Sequence, residues 1–113
     1  MTKYLISFPS SAMVVPEEDF QAVSDAARAV IAEAKVAGVY VFAGGINEDV
    51  APVKVSADGA VVEGTYQETR RIQGGYTILE LPSREVAQEW AAKIAAACRC
   101  DQELREFAYD QQA

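Results

Sequence analysis

Between Glu63 and Tyr76 the chain reads E-G-T-Y-Q-E-T-R-R-I-Q-G-G-Y, which sets two carboxylates, two guanidinium groups and two phenols close together. The chain has no histidine. Histidine is the usual proton carrier near neutral pH, so acid-base chemistry here falls to a carboxylate raised by burial, a tyrosine or a cysteine. Glu63 is the leading candidate for a catalytic acid or base, since it closes a hairpin's return strand and Gly64 allows a sharp exit. Tyr66, Glu68, Thr69 and Arg70 are near enough in sequence to converge with it as ligand-binding groups, and Tyr76 can join from the next strand. Arg70 and Arg71 offer planar forks that match a carboxylate or phosphate in two-point contact, or can pair with Glu68 or a surface acid. Against these readings, acids in a polar connection are usually solvated, and tyrosines are often packed with the oxygen reaching water. The reading of Glu63 therefore requires that it face a cavity.

The Gly74-Gly75 pair lacks the spacing and the following helix of a phosphate-binding loop, and a strand follows it instead. It reads as a backbone device, a bulge or a close approach of chains. Cys98 and Cys100 are one residue apart, too near for an easy disulfide and short of the four ligands of a structural zinc site. They read as a buried thiol at a helix end and a surface thiol in a reducing compartment. No metal and no cofactor are expected.

The elements that must position these groups follow from periodicity. Lys3 to Phe8 alternates as a strand and stops at Pro9. Pro16-Glu17-Glu18-Asp19 suits a helix N-terminus, and Val23, Ala27, Val30, Ile31 and Ala34 recur at helical spacing until Gly38, a left-handed cap. Val39 to Ala43 is wholly apolar, a strand with Val39, Val41 and Ala43 on one side and Tyr40 and Phe42 on the other, buried on both faces and broken by Gly44-Gly45. A hairpin insert occupies about residues 50–63: Val53 to Ala57, the turn Asp58-Gly59, then Ala60 to Glu63. A two-residue loop there sets Val55 opposite Val62, and the ribbon is expected to cover something apolar. Tyr76 to Leu81 is a further strand, Ser83 caps a second helix with Val86, Trp90, Ile94 and Ala97 or Cys98 on its apolar stripe, and Glu103 to Tyr109 is a last strand before a tail at 110–113.

At 113 residues the chain suits a single domain. The order strand, helix, strand, hairpin, strand, helix, strand, with right-handed crossovers, gives an α+β ferredoxin-like sandwich: an antiparallel sheet with two helices on one face. The apolar strand at Val39 then leaves the second sheet face in need of a cover. A second copy of the same sheet supplies it, so a homodimer is expected.

The stretches Ala37 to Ile46 (A-G-V-Y-V-F-A-G-G-I), Val62 to Arg71 (V-E-G-T-Y-Q-E-T-R-R), Gln73 to Glu80 (Q-G-G-Y-T-I-L-E) and Glu85 to Ala91 (E-V-A-Q-E-W-A) resemble the YCII-related proteins, and among them the branch named for its D-G-P-F motif. Glu63 stands for that motif's aspartate, Thr65 for its proline and Tyr66 for its phenylalanine, while Gly64, Glu68, Thr69, Gly74, Gly75 and Tyr76 match outright. The resemblance covers about Lys3 to Tyr109 and implies a dimeric α+β barrel. Some relatives outside the branch are thought to use a histidine-aspartate pair, which has no counterpart here. Members of the branch are often associated with sigma factors, some under the label "transcription initiation protein".

Seventeen acids against ten bases give a net charge of −7, which repels phosphate backbones and anionic lipid heads, so no direct nucleic-acid partner and no membrane association are expected. The N-terminus lacks the long apolar region of a signal peptide, which points to the cytoplasm. Two functional readings stand: a small enzyme or small-molecule binder with a pocket near Glu63 to Arg70, and a non-catalytic interaction module linked to transcription.

Overall fold

The computed structural model describes residues 1–110. Of the tail expected at 110–113, residues 111–113 lie outside the described residues. The elements are β1 (Thr2–Phe8), α1 (Phe20–Ala37), β2 (Tyr40–Gly45), β3 (Val53–Val55), β4 (Val61–Glu63), β5 (Gly75–Leu81), α2 (Arg84–Cys98) and β6 (Glu103–Glu106), with short 3-10 turns at Ser10–Ala12, Glu17–Asp19 and Gln67–Thr69. Strands β2, β5, β1 and β6 form one four-stranded sheet in that order, with every adjacent pair antiparallel. This α+β arrangement is compatible with the ferredoxin-like plan.

Alternation along the central strands decides which side chains meet the helices. Tyr4 and Ile6 of β1, with Leu79 and Leu81 of β5, are buried against Ala34 of α1 and Ala87, Ala91, Ile94 and Cys98 of α2. Ile6, Leu79 and Leu81 are the largest fully enclosed side chains, and each contributes about 1.5–3 kcal/mol by leaving water. The spacing 87, 91, 94, 98 keeps one stripe on the sheet, and its two alanines let the helix lie close. Trp90, expected in the core, is only half-buried beside that stripe, with the Lys93 ammonium 4.9 Å from its ring centre.

The ends of the helices follow local chemistry. Gly38 closes α1 at φ 76°, its N–H bonded to the carbonyls of Ala34 and Lys35. The Ser83 hydroxyl accepts from the Val86 N–H at 3.2 Å and opens α2. Arg99 reaches Asp19 at 2.8 Å and Lys93 pairs with Glu33, both on the surface, where such pairs contribute about 0–1 kcal/mol each.

Four expectations for β2 and the last strand require correction. Gly44-Gly45 does not break β2 but continues it, paired with Tyr76 and Gly75. Tyr40 pairs with Leu79 and Phe42 with Ile78, so Val41 is an extra residue in a bulge, and the simple alternation expected from Val39 to Ala43 fails there. Val41 and Phe42 are 43% and 52% exposed rather than buried. The last strand ends at Glu106, although the Phe107 N–H still donates to the Lys3 carbonyl at 2.9 Å.

The hairpin is shifted by one residue from its expected register: Val55 faces Val61 and Lys54 faces Val62. The cause is a three-residue loop. The Gly59 N–H donates to the Ser56 carbonyl, the Ser56 N–H to the Ala60 carbonyl, and Gly59 takes φ 90°. Asp58 fixes this turn by accepting from the Ala60 N–H at 3.0 Å and the Ser56 hydroxyl at 2.7 Å. The ribbon does not cover the core, and Val53, Val55, Val61 and Val62 are all exposed.

The Ala60 N–H first, and then the Ser56 hydroxyl, hold the Asp58 carboxyl below the ordinary aspartate value. A lowered folded value means that the turn's contribution is present at neutral pH and is lost as pH falls through that value. Amide shifts of Gly59 and Ala60 should therefore titrate below the normal aspartate range, and Asp58→Ala should abolish that titration and loosen the hairpin.

Candidate functional site

The sequence runs Gly44-Gly45 and Gly74-Gly75 into the same end of the sheet, where Gly45 pairs with Gly75 and the Ile46 N–H donates to the Gly74 carbonyl at 3.0 Å. Four positions without side chains leave bare backbone there. Gly74 sits at φ 88°, and a Cβ on it would stand 2.0 Å from the Phe8 carbonyl oxygen and 2.7 Å from the Ser10 nitrogen. A Cβ on Gly75 would stand 2.6 Å from the Phe8 ring. The pair thus serves close chain approach, with the end of β1 seated directly on it.

This seating opens a cavity of about 530 Å³ between α1 and the glycine end of the sheet. Its walls are chiefly apolar: Phe8, Met13, Phe20, Val23 and Ile31 among them, with Ile94 and Cys98 contributed by α2. Phe20 is 55% exposed, an odd place for phenylalanine at the start of a helix unless it borders such a space. The polar lining comprises Ser10, Ser24, Tyr76, Thr77 and Glu48. The Ser10 hydroxyl donates to Glu48 Oε1 at 3.0 Å, joining the segment after β1 to the loop after β2. Glu48 rides a turn fixed by Asn47, whose side-chain oxygen accepts from the Asp49 N–H at 3.1 Å. Burial, and secondarily Cys100, pushes the Cys98 thiol up, so it is a poor nucleophile at neutral pH.

The residues singled out in the sequence are distributed otherwise than expected. Tyr76 lines the 530 Å³ cavity. Tyr66 and Thr69 line a smaller hollow of about 290 Å³ with Val53, Lys54, Val55 and Gly64 under the hairpin. There the Thr69 hydroxyl donates to the Tyr66 carbonyl at 3.4 Å and the Lys54 ammonium lies 5.5 Å from the Tyr66 ring centre. Glu63, Glu68, Arg70 and Arg71 are exposed, and neither lining includes them. Glu63 therefore lacks the burial that its acid-base reading required. The reason is the hairpin: it forms a ribbon separate from the main sheet, and the Gly64 N–H still pairs with the Pro52 carbonyl at 3.0 Å, so Glu63 belongs to that exposed ribbon.

Sequence reasoning missed Ser10, Phe20, Glu48 and Cys98 as neighbours. One signal could have found the place, namely two Gly-Gly pairs at the ends of two strands. Among the described residues, no three His, Cys, Asp or Glu side chains gather as metal ligands, and no helix is long and apolar enough to cross a membrane. No family model matches the chain, and no curated protein matches it.

Gly74→Ala combines positive-φ strain with a backbone clash and should destabilise the fold by at least about 2 kcal/mol, lowering the melting temperature by roughly 8 °C or more. Gly38→Ala, with φ 76° but nothing within 4 Å of its new Cβ, should lose only about 1 kcal/mol. Thermal melts of the two variants check both values.

Proposed function

We propose that the protein is a homodimeric small-molecule binding protein that holds its ligand in the cavity between α1 and the glycine end of the sheet. The observation that carries this reading is the cavity itself: about 530 Å³, largely apolar, with a few polar groups at its edge. That size and lining are those of ordinary ligand sites. On the residues from Ala37 to Ala91 that resemble the YCII-related proteins, we place the chain with their D-G-P-F branch, in the dimeric α+β barrel arrangement.

The sheet face opposite the helices supports the dimer. It carries Val41, Phe42 and Phe107, 43%, 52% and 42% exposed, beside half-buried Leu5 and Ile78. The accessible surface of one chain is 7972 Å², against about 6,100 Å² for a folded 12.2 kDa monomer. The excess is more than the roughly 800 Å² per partner of a standard interface. A second reading, an interaction module acting on a transcription partner, draws on the exposed valines of the hairpin.

Light scattering behind size exclusion should give twice the 12.2 kDa chain mass, and Phe42→Glu should return it to one chain mass without loss of helical circular dichroism. For the cavity, 1-octanol should displace a bound environment-sensitive naphthalene dye. Ser24→Trp, which places a large ring on the cavity lining, should abolish dye binding with the fold retained. Dye binding unaffected by Ser24→Trp would move the ligand elsewhere, and the hairpin reading would then take precedence.

A further inference from the structure

Among the described residues, the cavity's lining contains one carboxylic acid and no base. Glu48 is the only formally charged side chain among the described residues that line it, and the other polar side chains there are neutral. Glu48 is exposed at the cavity's rim, where one hydroxyl orients its carboxylate and a turn holds its backbone. Ser10 donates to Oε1 at 3.0 Å, and the Asn47 turn fixes the loop beneath it, with the Val50 N–H on the Asn47 carbonyl at 3.3 Å and the Asp49 N–H on the Asn47 side chain at 3.1 Å. A single hydroxyl uses one acceptor site of a group that offers about four, so Oε2 and a further lone pair on Oε1 stay available to a donor. An anionic ligand would meet this carboxylate, find no cation in the wall, and enter against the field of a chain of net charge −7. A cationic head meets the opposite situation, with the rings of Phe8 and Phe20 also in the lining as surfaces that attract positive charge.

We propose that the cavity selects a cationic amphiphile, a primary ammonium on an apolar chain or ring, with the ammonium on Glu48 and the apolar body against Phe8, Met13, Phe20 and Val23. The inference rests on the reading of this cavity as the ligand site. It also accounts for the polar rim, in which Ser10 orients the carboxylate and the ammonium supplies the donors that the carboxylate lacks.

The test compares three probes of equal chain length, n-octylammonium, 1-octanol and octanoate, by isothermal titration calorimetry on the intact protein at pH 7. Octylammonium should bind at least about 10-fold tighter than octanol, the size of effect expected of a charge-assisted hydrogen bond, and octanoate weaker than octanol. Glu48→Gln should bring octylammonium to the level of octanol and leave octanol unchanged. Glu63→Gln removes the same charge from an exposed site outside the cavity and should preserve the discrimination. The proposal is overturned if octanoate binds as well as octylammonium, if the preference survives Glu48→Gln, or if Glu63→Gln erases it equally, since the general field of the chain would then explain it. Failure of octanol itself to bind would instead remove the reading of the cavity as a ligand site.

Discussion

The structure depends on the contact between the end of β1 and the bare backbone of Gly74-Gly75. β1 is one of the two inner strands, paired with β5 on one side and β6 on the other, and its last residue, Phe8, pairs with Gly75 while its ring lies over that glycine. The Phe8 carbonyl stands where a side chain of residue 74 would have to be. Because the chain can pass so close, Pro9 and Ser10 turn toward the loop after β2 instead of away from it, and Ser10 meets Glu48. The floor of the cavity and its polar rim are thus consequences of one steric permission. Close packing transmits such a requirement: a methyl group at position 74 would displace β1's exit and, with it, both the phenylalanine wall and the hydroxyl that orients the carboxylate.

A second constraint comes from the number of helices. Two helices cover one face of a four-stranded sheet, and the hairpin forms a separate two-stranded ribbon. Apolar surface consequently remains on the open sheet face and on the valines of β3 and β4. The chain measures 43 × 43 × 20 Å with a radius of gyration of 15.8 Å, where about 13 Å is usual for its length. The two surfaces have different chemistry. The sheet face mixes Phe42 and Ile78 with the Lys3–Glu80 pair at 3.2 Å, whereas the ribbon carries valines beside Lys54 and Glu63.

The candidate site divides along a similar line. The stretch from Glu63 to Arg70 draws the eye because its functional groups are consecutive, but adjacency in a loop does not make convergence. Those groups lie beside a ribbon that is not packed on the core, so they face water; Tyr66 does so too, although with half-buried Thr69 it lines a shallow hollow. The cavity draws instead on residues from the end of β1, the first turns of α1, the loop after β2, the start of β5 and the end of α2. Tyr76 is the one residue common to the expected site and the observed cavity, because it follows the glycine pair directly.

The sequence by itself determined the succession of strands and helices, the alternation of β1 and β5, the apolar side of α1, and the glycine and serine caps, whereas the buried stripe of α2 lies one residue on from Val86 and Trp90, at Ala87 and Ala91. These features rest on local rules: a period of two or 3.6 residues, a left-handed residue at a helix end, a hydroxyl three residues before an amide it caps. It also pointed to Gly74-Gly75 as a backbone device rather than a phosphate cradle. Only the tertiary structure decided that β2 carries a bulge at Val41 and runs on through Gly44-Gly45, because pairing with β5 supplies hydrogen bonds that glycine's weak strand preference does not. The one-residue shift of the hairpin was likewise settled by four hydrogen bonds around Asp58 and Ser56, whose combined geometry no dipeptide turn rule contains. The meeting of Ser10 with Glu48, 38 residues apart, was beyond any local pattern, since it follows from how closely two backbones approach.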